Sequence, residues 1–368
     1  MYSIKGKGDI IRQMANEHTA DFKQAVEEQN DDWYRINSML GNTWANWFVI
    51  AGGRETGKSF QCSEFVINQW RKKRRRFFWI RLSEVSKNKL LQNNCDKLFN
   101  AVLRRKYNLD TCRIGNDVYE VLKRDDKGKV IKKAKMGTVM ALSEMAKDKG
   151  VEYYDHEYKG WTNIIVDEIC REKRERDTFD VTYNLANQIE HIVRSKWQKV
   201  RVIMCCNMCS DLADVLPNLE FIPVDYGRYK LKNKNAVIDY LPVTDAYKKR
   251  RAKALANQLL GFGDGNFNNA IARDEKTLFS GKCVKPTAII KFTKNQDDWF
   301  VLWDNKVIAR YKGEKINTSI AMRRYIDEVF NVDTRDMILE MLDVRLLMYK
   351  DLVSQSQFLK RVKEVKAQ

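Results

Sequence analysis

The sequence contains few of the features that define several classes of protein. Its 368 residues include 4 prolines, 3 histidines and 8 cysteines. Cysteines this sparse do not form a disulfide scaffold, so we expect reduced thiols in a cytosolic compartment. The longest apolar runs, Trp47–Ala51 and Val202–Cys206, fall far short of the ~18 residues of a membrane helix. The first residues lack the apolar core of a signal peptide. The composition therefore predicts a soluble intracellular protein with no membrane partner.

The charge of the chain is large and unevenly distributed. Lysine and arginine number 67 against 49 acidic residues, which gives a formal net charge of +18. Residues 71–135 contain 21 basic and 7 acidic residues, whereas the first 45 residues contain 5 basic and 7 acidic ones. A local excess of this size is typical of a surface that contacts a polyanion. A solvated charged face is the other interpretation of such a run.

A phosphate-binding motif follows the first apolar run. Residues 52–59 match G-x-x-x-x-G-K-[ST] at every fixed position. In such a loop the backbone N–H groups face the β-phosphate, the lysine reaches the β- and γ-oxygens, and the hydroxyl ligates Mg²⁺. An apolar strand precedes the motif and a helical pattern, Phe60–Trp70, follows it, as the motif requires. ATP and Mg²⁺ are therefore the expected cofactors. The predicted ATP-binding residues are Gly52, Gly53, Arg54, Glu55, Thr56, Gly57, Lys58 and Ser59.

A second acidic element completes this prediction. Residues 163–168 (NIIVDE) predict a buried strand that ends in Asp167 and Glu168. A carboxylate at such a strand end can hold the Mg²⁺ water shell opposite Ser59, and the adjacent one can polarise an attacking water. Taken alone, the pair could also lie on the surface, although neighbouring carboxylates are costly without a cation nearby. Together with the phosphate-binding motif, Glu168 favours hydrolysis over phosphate transfer to a small acceptor.

A third strand end carries an amide. Val202–Asn207 predicts a buried strand whose terminal Asn207 could contact the γ-phosphate or the attacking water. A strand that simply ends in a turn-forming residue is the alternative. Cys206 and Cys209 form a C-x-x-C pair, but no second ligand pair follows at zinc spacing. We therefore expect buried thiols there.

Alternating strands and helices predict a mostly parallel α/β sheet in the N-terminal region. All four prolines lie beyond residue 216, and the basic helix Tyr247–Leu260 precedes a glycine-rich break at 261–266. We expect a motor domain at 1–238, a helical linker at 239–270 and a small α+β domain at 271–368. The predicted strands and helices of the last domain are Thr287–Thr293, Trp299–Trp303, Lys306–Tyr311, Asp333–Met348 and Asp351–Val365.

Four segments, in order, resemble the DNA-packaging (encapsidation) ATPases of small phi-twenty-nine-like podoviruses. NWFVIAGGRETGKSF is similar to the family's strand and P-loop, and RFFWIRLSE to its next strand, which ends at Arg81. NIIVDEICREK is similar to its Walker B strand. HIVRSKWQKVRVIMCCNMCS is similar to the segment that joins a trans-acting arginine to the sensor strand. The resemblance covers about residues 45–210 and is weak beyond them.

The resemblance implies an ASCE-type P-loop motor that forms a homo-oligomeric ring, a pentamer, at the portal vertex of an empty procapsid in the host cytoplasm. Such a ring pulls double-stranded DNA inward at the expense of ATP. The family's catalytic lysine and glutamate match Lys58 and Glu168, and its Mg²⁺ ligands match Ser59 and Asp167. Arg194 matches the arginine finger, which acts in the neighbouring subunit's site; without the resemblance, Arg194 would be a surface charge at a helix end.

The C-terminal domain, by the same resemblance, is similar to an RNase H-like nuclease that has lost its acidic triad. Thr287–Thr293 has Lys291 and no acidic residue, whereas metal-dependent cleavage needs clustered carboxylates. We therefore predict no nuclease activity and expect this domain to dock on nucleic acid or on the portal. Family members also use a packaging RNA as a scaffold, with which the basic linker and domain are compatible.

DNA that passes through a ring must be held without regard to its sequence, by basic side chains on phosphates. Val118–Lys133 predicts a β-hairpin around residues 126–128. Its lysines are the first candidates for DNA contact, and the arginines that end the helix after the P-loop are the second. The candidates are Lys129, Lys132, Lys133, Lys135, Arg71 and Arg74. A solvated helix terminus favoured by the helix dipole is the alternative for the arginines.

Two other functions remain open from the sequence. A hexameric helicase or helicase-loader ATPase would act on single-stranded DNA and would more often carry stacking aromatic residues beside its basic loops. A nucleic-acid-binding scaffold with an inert P-loop is disfavoured by the intact Lys58, Ser59, Asp167 and Glu168.

Overall fold

The chain divides into two compact units. In the computed structural model, unit 1 comprises Met1–Leu219 and Pro223–Ile271, and unit 2 comprises Glu220–Ile222 and Ala272–Gln368. The structure describes residues 33–144, 161–169, 179–193, 200–207, 215–223, 225–252, 277–292, 298–312, 332–344 and 346–366. The predicted linker lies mostly outside these residues, so its boundaries stay a prediction.

A nine-stranded sheet forms the centre of unit 1. Its strands are β1 (Trp47–Ala51), β2 (Phe77–Arg81), β3 (Thr111–Ile114), β4 (Asp117–Arg124), β5 (Val130–Ala141), β6 (Thr162–Asp167), β7 (Val200–Cys206), β8 (Gly227–Leu231) and β9 (Ala236–Tyr240). The spatial order is β3-β4-β5-β2-β6-β7-β1-β9-β8. The six strands from β5 to β9 in this order pair in parallel. The predicted mostly parallel α/β fold is confirmed.

Helices connect these strands. They are α1 (Asn37–Leu40), α2 (Lys58–Lys73), α3 (Glu84–Cys95), α4 (Ala101–Tyr107), α5 (Val181–Val193) and α6 (Asp245–Ala252). α2 begins at the last residues of the phosphate-binding motif and buries Phe65, Val66 and Ile67 against the sheet. The strands beneath are apolar, and every residue of β6 is buried. Such burial stabilises the unit by roughly 25 cal/mol per Å² of apolar surface removed from water.

The order of the strands fixes where the motifs meet. β7 lies between β1 and β6, and pairs with both in parallel. Because parallel strands end at the same edge of a sheet, the phosphate-binding loop after β1, the carboxylates after β6 and Asn207 after β7 converge there. Ligands of open α/β sheets bind outside these carboxyl ends.

The predicted hairpin extends from one side of the sheet. β4 and β5 pair antiparallel, with register shifts between Val118 and Tyr119, between Val121 and Lys123, and between Lys123 and Arg124. At the turn, the Asp125 Oδ1 atom accepts hydrogen bonds from the backbone N–H groups of Lys127 and Lys129. Gly128 has a φ of +80°, a conformation that favours glycine.

Unit 2 contains a four-stranded sheet and two helices among its described residues. The strands are β10 (Pro286–Ile290), β11 (Asp298–Trp303), β12 (Val307–Lys312) and β13 (Met348–Tyr349), and the helices are α7 (Val332–Asp343) and α8 (Leu352–Lys366). A tight turn at residues 304–305 joins β11 to β12, with positive φ at both residues. Phe292, Phe300 and Phe358 pack edge to face in the core. An RNase H-like identity of this unit stays a prediction.

One predicted helix of unit 2 is too long. The pattern predicts a helix over Asp333–Met348, but α7 ends at Asp343. Met348 lies in β13, where it pairs with Val307 of β12. The apolar residues 346–349 are compatible with a helix or with a buried strand. Backbone pairing with the edge of β12 favours the strand for Met348 and Tyr349. Among the described residues, no helix has both the length and the apolar character required to cross a membrane.

Candidate nucleotide site and candidate nucleic-acid interface

The phosphate-binding loop connects β1 to α2 in a compact turn. Gly57 caps α2 with a φ of +89°, where a side chain would be strained. Gly52 is needed for a different reason: a Cβ atom on it would lie 2.8 Å from the Cβ of Leu241. The Gly52 N–H donates to the carbonyl of Cys206, at the end of β7. The loop is thereby held against its neighbouring strands.

The ammonium group of Lys58 lies inside the loop. Its Nζ atom donates to the carbonyls of Gly52 and Gly53, at 2.7 and 2.6 Å, and to Thr56 Oγ1 at 3.2 Å. It is also 3.3 Å from Asn207 Oδ1. The Lys58 side chain is buried, so its charge is balanced by these oxygen dipoles. A phosphate placed in the loop can attract the same ammonium group.

Ser59 and Asp167 meet as the two motifs predict. The Ser59 hydroxyl donates to Asp167 Oδ1 across 2.8 Å. A hydroxyl and a carboxylate side by side, next to a phosphate-binding loop, are the oxygen ligands that Mg²⁺ takes in nucleotide sites. These residues therefore fit the implied metal. Glu168 follows directly, with a φ of +58° and a side chain that is 64% exposed.

Arg81 holds both carboxylates. From the end of β2, its Nη1 atom donates to Asp167 Oδ2 at 2.7 Å, and its Nη2 atom bonds Glu168 Oε2. The Arg81 side chain is only 11% exposed and that of Asp167 only 5%, so this ion pair is shielded from water, whereas Glu168 is exposed. An arginine between two carboxylates removes the repulsion that would otherwise make the Asp-Glu pair costly. The sequence predicts Arg81 at a strand end but does not predict this role, because the role depends on β2 lying beside β6.

Of the remaining predicted catalytic residues, the structure describes Asn207 but not Arg194. Asn207 lies at the end of β7 and accepts from Lys58, so it belongs to the same cluster. Arg194, the candidate arginine finger, lies outside the described residues, as does Cys209. Cys206 is buried in β7. A neighbouring thiol pair, Cys62 and Cys205, has its sulfur atoms 3.4 Å apart in the core.

α6 also contacts the phosphate-binding loop. This contact was not predicted from the sequence. The Tyr247 hydroxyl donates to the carbonyl of Arg54 at 3.0 Å, and Arg251 Nη1 lies 2.8 Å from Glu55 Oε1. Both α6 side chains are buried, and burial raises the pKa of Tyr247. Glu55 has a φ of +61°, unusual for a residue with a side chain. The ion pair with Arg251 helps to hold this strained residue.

The hairpin lysines fall into two groups. Lys135 Nζ pairs with Asp117 at 2.8 Å, and Lys133, although exposed, lies over the ring of Tyr119, 5.0 Å from its centroid. Lys129 and Lys132 are exposed. Exposed lysines on a projecting hairpin are suited to phosphate contact, because they bind phosphates without regard to base sequence.

The arginines at the end of α2 contact the sheet. Arg71 Nη2 lies 2.7 Å from Glu120 Oε1, and Arg74 Nη1 lies 3.3 Å from Glu120 Oε2. Glu120 also accepts from the indole N–H of Trp70 at 2.6 Å. Arg71 in addition donates to the carbonyls of Tyr107 and Asn108. These contacts give both arginines an architectural role within the chain.

Comparison with known proteins finds a likeness of fold. No protein-family model matches the chain, and no curated protein matches it either. The Phi-28 gp11 DNA packaging motor superposes with a TM-score of 0.59 at 15% identity, covering 91% of this chain and 98% of that chain. The bacteriophage Phi-29 viral genome packaging motor assembly superposes with a TM-score of 0.59 at 15% identity, covering 90% and 99%.

These two likenesses cover nearly the whole of both chains, although the sequences are only 15% identical. The likeness extends from the phosphate-binding sheet of unit 1 into unit 2. The predicted resemblance to packaging ATPases of phi29-like phages is therefore confirmed at the level of the fold: the chain has the fold of bacteriophage DNA-packaging motors.

Proposed function

We propose that the chain is an ATP-driven motor that moves double-stranded viral DNA into a preformed procapsid. The single observation that carries the proposal is the meeting of Lys58, Ser59, Asp167 and Glu168 at one edge of the sheet, with Ser59 bonded to Asp167. This is the residue set for hydrolysis of a nucleoside triphosphate. The fold shared with two packaging motors supports DNA as the cargo.

Each residue of the site has a separate task in this proposal. The loop N–H groups and Lys58 bind the phosphates, and Lys58 leaves the carbonyls of Gly52 and Gly53 to do so. Glu168 orients the attacking water and accepts its proton. Asn207, already bonded to Lys58, contacts the γ-phosphate or that water.

Ser59 and Asp167 would hold Mg²⁺, which neutralises charge on the β- and γ-phosphates when bound. Arg81 forms ion pairs with both carboxylates of the site, Asp167 and Glu168. As long as Arg81 pairs with Glu168, that carboxylate is engaged by the guanidinium group and must leave it to contact the attacking water.

The proposal extends to a ring. Arg194 would reach the site of a neighbouring subunit as an arginine finger, which in related NTPases contributes roughly 10³–10⁵ in rate. We expect mixtures of Arg194→Ala and Glu168→Gln subunits to regain activity at some interfaces; no restoration at any ratio would count against action in trans. Exposed hairpin lysines would hold the DNA, and unit 2 would dock on the portal or on nucleic acid, without nuclease activity.

Substitution of the proposed base gives the first test. We expect Glu168→Gln to lower steady-state ATP turnover by at least about 10²-fold, since a general base contributes 10²–10⁴, and to leave ATP binding intact. Turnover is measured by phosphate release. Glu364→Gln, at an exposed carboxylate of α8, is the matched control and should turn over normally. Undiminished turnover by Glu168→Gln contradicts the catalytic assignment.

The cargo is tested with cognate empty procapsids. We expect ATP-dependent protection of double-stranded DNA from nuclease by procapsids and the wild-type chain, and none with Glu168→Gln. A chain that gives no protection but unwinds forked DNA would be a helicase, and the packaging proposal would then be wrong.

A further inference from the structure

The position of Trp33 beside the phosphate-binding loop is not used by the chemistry described above. Its side chain is 47% exposed. A Cβ atom built on Gly57 would lie 2.7 Å from Trp33 Cε3, so the indole rests directly on the backbone of that glycine. Gly57 immediately precedes Lys58 and caps α2. An exposed aromatic ring therefore lies at the point where the loop turns into the helix.

The neighbouring residue anchors this segment. The Tyr34 N–H donates to the carbonyl of Thr56 at 2.9 Å, which fixes the backbone to the loop. The Tyr34 hydroxyl donates to Asp239 Oδ2 at 2.7 Å, and Asp239 is paired with Arg228. Burial, and then the Asp239 carboxylate, raise the pKa of Tyr34 well above its ordinary value. The hydroxyl therefore stays protonated as a donor, and Trp33 is held beside Gly57.

The other side chains of the site act on phosphates, water or metal. Lys58, Ser59, Asp167 and Glu168 are charged or polar, and none of them offers a flat apolar surface. A nucleotide whose phosphates lie on the loop at the start of α2 has its ribose and base outside the loop, within reach of side chains that lie against the loop backbone, as Trp33 does. The indole presents an exposed aromatic surface beside the loop, and base–aromatic stacking contributes about 1–3 kcal/mol.

We propose that Trp33 forms the stacking surface for the base of the nucleotide bound at the loop. The proposal rests on the proposed function, because it takes a nucleoside triphosphate as the ligand of that loop. Stacking uses the face of the base and leaves its edge unread. Trp33 therefore contributes affinity without selecting one base over another.

The test compares a ligand that has a base with one that has none. Binding of ATP and of inorganic tripolyphosphate, each with Mg²⁺, is measured by calorimetry on the full chain and on Trp33→Ala, Trp33→Phe and Trp44→Ala. Trp44 is the matched control: it is 37% exposed and lies before the amino end of β1, whereas the loop follows the carboxyl end. Circular dichroism and thermal unfolding check that each variant is folded.

We expect Trp33→Ala to weaken ATP binding roughly 5- to 100-fold, in line with the loss of one base–aromatic stack. Its affinity for tripolyphosphate should stay within about twofold. Trp33→Phe should retain most of the ATP affinity, and Trp44→Ala should bind both ligands as the wild type does. Equal weakening of both ligands by Trp33→Ala would mean that the indole only supports the loop, and would overturn the proposal. Unchanged ATP binding would overturn it as well.

Fluorescence gives an independent readout that a purely structural role would not produce. Adding ATP should change the tryptophan emission of the wild type and of Trp44→Phe, but not that of Trp33→Phe. The same change in Trp33→Phe would contradict stacking at this residue. A wild-type chain that binds neither ATP nor tripolyphosphate would overturn the proposed function together with this inference, and is distinguishable from a failure confined to Trp33.

Discussion

Two parts of the same basic stretch use their charge differently. At the end of α2, Arg71 and Arg74 contact Glu120, which is only 2% exposed. On the β4–β5 hairpin, Lys129 and Lys132 are exposed. The first group attaches a helix to the sheet, and the second is available to a polyanion. A run of like charges therefore need not form one binding surface, because a single buried carboxylate can engage part of the run.

The largest effect is expected from the exposed lysines. The double substitution Lys129→Ala/Lys132→Ala should weaken binding to double-stranded DNA tens of fold at low salt. The slope of log affinity against log salt should fall by about 2, because each lost phosphate contact removes roughly 0.9. Fluorescence anisotropy at several salt concentrations measures both quantities.

The stability of the double variant is its control. We expect the free energy of unfolding to change by less than about 0.5 kcal/mol, as for surface substitutions away from packed features. An unchanged salt slope would contradict a phosphate-contacting role for these lysines.

A second substitution tests the buried side of the comparison. Glu120→Ala should lower the free energy of unfolding by about 2 kcal/mol, because it leaves the buried Trp70 indole N–H without its acceptor and removes the carboxylate that Arg71 and Arg74 contact. Urea unfolding measures the loss. Asp126→Ala, at the exposed hairpin turn, is the control and should cost less than about 0.5 kcal/mol.

The DNA affinity of the same variant separates the two groups. If Arg71 and Arg74 serve only the architecture, Glu120→Ala should retain the salt slope of the wild type. A steeper slope would mean that the released arginines reach phosphates, and that Glu120 restrains a second DNA-binding group.

The smallest effect is expected within the hairpin itself. Lys135 is paired with Asp117, so Lys135→Ala should reduce the free energy of unfolding by at most about 1 kcal/mol, as for exposed ion pairs. It should lower the salt slope by less than Lys132→Ala does. A loss of slope as large as that of Lys132→Ala would show that the ion pair with Asp117 does not keep Lys135 from phosphate.

Much of the candidate site could be predicted from the sequence, because its parts are local. The glycines before Lys58 and Ser59 require a loop between a strand and a helix, and Asp167 follows an apolar strand. Once these strands are parallel, their ends must meet at one edge. The Ser59–Asp167 contact and the position of Asn207 follow once β7 lies between β1 and β6.

Other contacts could not be predicted, because they depend on which elements become neighbours. Arg81 reaches Asp167 and Glu168 only because β2 lies beside β6. Arg251 reaches Glu55 across almost two hundred residues of chain. The end of α7 was mispredicted for the same reason: pairing with β12 decides that Met348 is in a strand.

The sequence by itself determined the phosphate-binding loop, the carboxylates of the second motif and the alternation of strands and helices, since spacing and apolar pattern act over a few residues. Only the tertiary structure decided which charged side chains form ion pairs with one another. Glu120 engages arginines and Arg81 engages carboxylates because burial makes an unpaired charge costly, and the fold determines which opposite charge is within reach.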